Sequence, residues 1–133
     1  MKPAAFNYAK PSSVEEALGL LSKNDGDAKI LAGGQSLMPT LNMRLSTPSL
    51  LIDINGISDL SGITIIGDQI RIGALTRHVE VENSADIAKY VPIMAIAMPL
   101  IAHPALRNRG TIGGSIALAD PAAELPACLC ALD

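Results

Sequence analysis

Apolar positions in the first half of the chain switch between two periods. Val14, Ala17, Leu18 and Leu21 recur at three- and four-residue spacing, the repeat of one buried helix face, and predict a helix near 13–22. Ser12-Ser13-Val14-Glu15-Glu16 marks its start as a doubled capping box, pairing Ser12 with Glu15 or Ser13 with Glu16. Asn24-Asp25-Gly26-Asp27 ends it as a turn. Short apolar runs then predict strands at 28–32 and 49–54, the second bounded by the turn pair Asn55-Gly56. Between them Ser36 or Pro39 opens a short helix through Arg44.

Beyond position 60 the pattern changes. Residues 62–73 carry two β-branched runs around Gly67-Asp68 and predict a hairpin. Thr76 is placed to cap a helix through about Val81. A second helix is expected over 86–101, broken near Pro92 or Pro99. His103 to Gly110 reads as a polar loop. Asp120-Pro121 reads as a helix start, with Asp as cap and Pro at the first helical position, and that helix runs through about Leu132. The order predicts an α+β fold of two lobes, residues 1–56 and 57–133, dividing near 55–58.

Composition narrows the functional classes. The 133 residues are 49% hydrophobic and 17% charged, with one Phe, two Tyr and no Trp. Aliphatic side chains must therefore build the core. The net charge is −3 and no Lys/Arg cluster occurs, which argues against nucleic acid or an anionic membrane surface as partner. Met1 to Tyr8 lacks an apolar signal core. The most apolar stretch, Val91 to Ala102, is too short to span a bilayer and contains two prolines. A soluble cytoplasmic protein without a membrane span is the expectation. Cys128 and Cys130 stand two apart on a predicted helix and fit neither a metal pair nor a disulfide; both read as buried small residues. Met38, Met43, Met94 and Met98 read as core. His78 and His103 lack the companions of a catalytic or metal site. The chain stops at Ala131-Leu132-Asp133, directly after an apolar helical run, which reads as a truncation within a domain.

The strongest chemical signal is a pair of similar loops, Leu31-Ala32-Gly33-Gly34-Gln35-Ser36 and Gly110-Thr111-Ile112-Gly113-Gly114-Ser115. Adjacent glycines let a ligand approach the backbone, and exposed N–H groups in such a turn form an anion-binding concavity. Hydroxyls of Ser36, Thr111 and Ser115 add donors. Two such loops suggest two jaws on one pyrophosphate, and hence a dinucleotide. Arg107 and Arg109 either touch phosphate, anchor the second loop or face a partner subunit.

At these motifs the chain resembles a known family, the FAD-binding medium subunit of molybdenum hydroxylases, a group that includes aerobic carbon monoxide dehydrogenase and xanthine dehydrogenase. Its pieces stand here in family order: Phe6-Asn7-Tyr8, Pro11 to Leu18, Leu31 to Pro39 with Arg44, Ile72 to His78, Arg107 to Ser115, and Ala119 to Pro126. The resemblance covers essentially the whole chain. It implies the two-lobed FAD-binding domain of the vanillyl-alcohol-oxidase-like (PCMH) type, truncated in its second lobe, because family members run well beyond this length.

The resemblance also assigns roles. Leu31, Ala32, Gly33, Gly34, Gln35, Ser36 and Leu37 would wrap the FAD pyrophosphate from the first lobe. Thr111, Ile112, Gly113, Gly114 and Ser115 would wrap it from the second. Asp120 and Glu124, four residues apart, would share a helix face, and one or both would accept hydrogen bonds from ribityl or ribose hydroxyls. Ile101 stands where the family packs an apolar residue against the cofactor. Leu118 stands where many relatives carry His. The implied function is an oxidoreductase subunit for electron transfer. Electrons leave a molybdopterin-containing large subunit, cross a 2Fe-2S small subunit to FAD, and pass to a terminal acceptor such as a quinone, NAD⁺ or O₂, in a dimer of heterotrimers. No catalytic base or nucleophile and no metal ligand is expected in this chain. The competing reading is a flavin-free, partner-binding fragment of the same fold.

Overall fold

The computed structural model describes residues 1–132. They form two compact units, Met1–Ser58 and a second that begins at Asp59.

The first unit is a parallel β-α-β-α-β arrangement. Strand β1 (Asn7–Ala9) leads to helix α1 (Val14–Lys23), strand β2 (Ala28–Leu31), helix α2 (Leu37–Asn42) and strand β3 (Leu50–Asp53). The strand order is β1-β3-β2, with β3 central and parallel to both neighbours. That position explains the sequence of β3. A parallel strand covered on both faces reads as a continuous apolar run, and Leu50, Leu51 and Ile52 are all buried. Each such side chain contributes roughly 1.5–3 kcal/mol by leaving water. At α1 the Ser13–Glu16 capping pair wins: Ser13 Oγ accepts from Glu16 N at 3.2 Å. The Glu16 carboxylate reaches one residue further back, accepting from Ser12 N at 2.8 Å.

The second unit holds an antiparallel hairpin, β4 (Ile63–Ile66) and β5 (Gln69–Ile72), closed by the two-residue Gly67-Asp68 loop. Helices α3 (His78–Glu82), α4 (Ala85–Tyr90), α5 (Pro92–Ala97), α6 (Pro104–Arg107), α7 (Ile112–Leu118) and α8 (Glu124–Leu132) follow. Its core comprises Val81, Ile87, Val91, Met94, Ala97, Met98, Ile112, Leu125 and Cys128, with Ile63, Ile70 and Ile72 packed against it.

Several local expectations fail here for identifiable reasons. Thr76 does not cap α3. Its buried hydroxyl exchanges hydrogen bonds with the Gly62 backbone at 3.0 Å, leaving Arg77 at the cap, where its N–H donates to Glu80 Oε2. The helix expected over 86–101 with a break near Pro92 or Pro99 does break, and at both prolines rather than one. Val91, barred from helical backbone by the proline after it, separates α4 from α5, and residues Met98–Leu100 around Pro99 form a 3₁₀ turn. The expected loop at 103–110 contains α6, started by Pro104. Asp120 does not begin the last helix. Its carboxylate accepts from Ala122 N at 2.9 Å, a local Asx-type turn that delays α8 to Glu124. Cys128 is buried, but Cys130 is exposed, as is Met43.

Candidate functional site

The first glycine loop continues β2 into α2. Gly34 adopts φ +72°, the left-handed region that disfavours a side chain. A Cβ there would stand 3.1 Å from Leu31 Cδ1 and 3.2 Å from Met38 Cγ. The carbonyls of this loop are engaged. Leu31 O accepts from Ile54 N at 3.1 Å and Gly34 O from Met38 N at 3.0 Å. Gly33 O accepts from Gln35 Nε2 at 2.8 Å, and Ala32 O from Asn55 Nδ2 at 2.9 Å. The N–H groups of Gly33, Gly34, Gln35 and Ser36 have no partner among the described residues. A run of unpaired N–H groups around a left-handed residue is an anion-binding nest. Ser36 stands at the start of α2 in helical conformation and its hydroxyl makes no cap. Leu37 is the first residue of α2.

The second loop is built differently although its sequence looks alike. Gly113 and Gly114 lie inside α7, with ordinary negative φ. Every N–H group at the start of that helix is taken. Ile112 N donates to Thr76 O at 3.1 Å and Gly113 N to Ala74 O at 2.8 Å. Gly114 N donates to Thr111 Oγ1 at 3.2 Å and Ser115 N to Thr111 O at 3.1 Å. Gly113 is required by packing: its Cβ would fall 2.6 Å from Ala74 Cβ, closer than carbon atoms approach. Thr111 is buried, and its hydroxyl oxygen accepts the capping bond from Gly114 N. Gly114 is exposed, and the Ser115 hydroxyl makes no hydrogen bond to any described residue.

The remaining candidates gather behind this loop. Arg107, 8% exposed, is an internal anchor. It pairs with Glu82 at 2.8 Å and donates to Ile101 O and Ala102 O at 3.0 and 3.2 Å. Ile101 is half-buried against the core. Arg109 is exposed, and its carbonyl accepts from Arg77 Nη1. Glu124 is half-buried at the head of α8. Asp120 is exposed and precedes that helix, so the two carboxylates do not share a helix face in the expected i, i+4 manner.

His78 is the residue that sequence reasoning set aside. It is 8% exposed, with Nε2 buried and unpartnered. It lies directly under the loop, since a Cβ on Gly110 would meet His78 Nδ1 at 2.9 Å, and its backbone N–H donates to Gly110 O at 3.0 Å. Burial pushes its imidazole below the usual histidine range, and the Arg107 charge adds to this. The Thr111 backbone and the Glu124 carboxylate oppose the shift but do not overcome it. Its only sequence signal is its place at the end of the Ile72-to-His78 motif.

Among the described residues no group of three His, Cys, Asp or Glu is placed to hold a metal, and no helix is long and apolar enough to cross a membrane.

Comparison with known proteins covers the whole chain. Residues 4–133 match the family described as the FAD binding domain in molybdopterin dehydrogenase. The chain is 56% identical over its whole length to the 6-hydroxypseudooxynicotine dehydrogenase complex subunit alpha of Paenarthrobacter nicotinovorans, covering 45% of that protein. It is 48% identical to the nicotine 6-hydroxylase medium subunit of the same organism, covering 47% of it. A solved carbon monoxide dehydrogenase from Hydrogenophaga pseudoflava superposes with a TM-score of 0.94 at 46% identity, over 96% of this chain and 44% of that one. The chain thus spans about half the length of the curated relatives it matches. The family is defined by its FAD-binding domain, and the open N–H groups at Gly33–Ser36 suit the pyrophosphate such a cofactor carries. The chain belongs to the FAD-binding domain family of the molybdopterin dehydrogenases.

Proposed function

We propose that this chain is the FAD-holding part of an electron-transfer subunit in a molybdopterin-dependent oxidoreductase, with lobes at 1–56 and 57–133 of the vanillyl-alcohol-oxidase-like type. The observation that carries the reading is the row of unpaired N–H groups at Gly33–Ser36 around left-handed Gly34. FAD, when bound, supplies the electron-carrying chemistry. The chain supplies position. Backbone donors of Gly33, Gly34, Gln35 and Ser36 meet phosphate oxygens, where hydrogen bonds to an ionised acceptor are the stronger kind. Leu31, Ala32 and Leu37 frame that nest. From the second lobe, bare backbone at Gly114 and the Ser115 hydroxyl meet the cofactor, while Thr111, Ile112 and Gly113 hold that surface in place. Glu124 and Asp120 accept from sugar hydroxyls, and Ile101 gives an apolar contact. In this reading the partners are a molybdopterin-containing large subunit and a 2Fe-2S small subunit, assembled as a cytoplasmic dimer of heterotrimers, with electrons arriving through the iron–sulfur subunit.

The test is the visible absorption spectrum of the purified chain before and after titration with FAD and FMN. The proposal expects flavin bands that survive desalting, with FAD preferred because it carries the pyrophosphate. Equal affinity for the two flavins would remove the pyrophosphate from the argument. A flavin-free, partner-binding role is favoured by one observation, the internal pairing of every N–H group at the start of α7. Failure of the chain to retain either flavin would favour that role.

A further inference from the structure

The first loop is aimed from behind. Asn55, an exposed turn residue after β3, donates through Nδ2 to Ala32 O at 2.9 Å and lies 3.4 Å from Leu31 O. The same amide nitrogen donates to Asp53 Oδ1 at 2.6 Å, and the Asn55 backbone N–H donates to that oxygen at 2.9 Å. The Tyr8 hydroxyl donates to the other carboxylate oxygen, Oδ2. A relay thus runs from β1, through the end of β3, to the carbonyl that precedes Gly33.

Peptide geometry turns this relay into a pointer. A peptide unit is planar and trans, so its C=O and N–H point in opposite directions, and no peptide in the chain is cis. Holding the Ala32 oxygen toward Asn55 therefore directs the Gly33 N–H to the opposite side. Gln35 Nε2 holds the Gly33 oxygen in the same way and so directs the Gly34 N–H. Met38 N holds the Gly34 oxygen and directs the Gln35 N–H. Three consecutive planes are fixed by their carbonyls, and the donors that remain belong to the nest.

Of the three carbonyls, only that of Ala32 is held by a residue from beyond the loop and α2. The Asn55 amide has a donor end and an acceptor end, and only the donor end can serve Ala32 O. An ionised carboxylate accepts and never donates, so Asp53 holds that end in place. Burial favours the protonated Asp53 carboxyl, but hydrogen bonds from Tyr8 and Asn55, and the Lys10 charge, outweigh this and hold it below the usual carboxylate range.

We propose that Asn55 is a positioning residue for the anion nest, oriented by Asp53 and Tyr8, and that it aims the Gly33 N–H at a phosphate oxygen. This rests on the reading that the first loop takes the FAD pyrophosphate.

The experiment titrates FAD and inorganic pyrophosphate into the chain and records ¹⁵N–¹H spectra of the ligand-free protein. Asn55→Ala is expected to weaken FAD about tenfold, the scale of one net hydrogen bond, and to shift the Gly33 amide resonance. Asn55→Asp, which puts an acceptor against an acceptor, is expected to weaken it further. Asp53→Asn keeps an accepting oxygen and is expected to stay within about threefold of wild type, whereas Asp53→Leu falls with Asn55→Ala. Unchanged affinity and an unmoved Gly33 resonance in Asn55→Ala would overturn the proposal. If that variant does not fold, equal affinities for Asp53→Asn and Asp53→Leu overturn it instead. If the wild type binds neither FAD nor pyrophosphate, the phosphate reading fails, and the Gly33 resonance alone decides whether Asn55 aims the loop.

Discussion

The two glycine-pair loops read almost alike and do opposite work. At Gly33-Gly34 the glycine is needed for backbone conformation: Gly34 is left-handed, carbonyls are tied down and N–H groups are left over. At Gly113-Gly114 the glycine is needed for space: Gly113 lies helical against Ala74, and every N–H group at the helix start is consumed. One motif thus covers an open donor set in one place and a closed packing joint in the other. Matching residues with a ligand-binding loop does not establish that the loop offers donors; the fate of each backbone group does.

Substitutions can set the two loops against each other. The largest effect is expected at the packing joint. Gly113→Val drives side-chain carbons into Ala74, whose Cβ and carbonyl oxygen would lie 2.6 and 2.8 Å from the new Cβ. Overpacking of this kind costs about 1–3 kcal/mol or more, and a clear loss of urea midpoint should report it. Next comes Gly34. Gly34→Val forces a branched side chain into left-handed backbone at about 1–2 kcal/mol, and FAD affinity should fall at least tenfold. Asparagine separates the two cases, because it tolerates that conformation. Gly34→Asn should therefore lower the melting temperature less than Gly113→Asn does. Equal loss in both would erase the distinction drawn between the loops.

Smaller effects sharpen the contrast. Thr111→Ala removes the α7 cap at about 1 kcal/mol, and Thr111→Ser should restore it. His78 makes the second unit pH-sensitive. Its folded imidazole titrates below the ordinary value of 6.5, so the unfolded chain takes up the proton first and stability falls as pH drops below about 6.5. Denaturant midpoints from pH 8 to 5 should show that slope, and His78→Gln should remove His78's share of it. The smallest expected change is Ser115→Ala, a loss of a few-fold in FAD affinity at unchanged stability, read by flavin titration.

Much of the fold was legible because it rests on local signals. The α1 face, the apolar run of β3 and the Gly67-Asp68 hairpin declare themselves within a few residues. The failures share a cause. Thr76 and Asp120 each favour capping by their side-chain chemistry, and each is overruled by a competitor for that hydrogen bond. Thr76 was claimed by Gly62, far along the chain, and Asp120 by its own next turn. At the candidate site the glycines were legible and the pairing of their N–H groups was not, since Ala74 and Thr76 reach α7 only in the folded chain. His78 was passed over because its history as a lone histidine in sequence gives no hint of burial.

Arg107 also has a thermodynamic consequence. Its guanidinium gathers the carbonyls of Ile101 and Ala102, and Ala102 sits at φ +49°, a conformation alanine does not choose unaided. That bend is ordered by the protein's own side chain before any visitor arrives. A group that settles on Ile101 therefore loses less of its binding free energy to freezing the surface beneath it. Arg107→Lys, which keeps the charge but lacks the planar fork, would return that entropy cost to the association step.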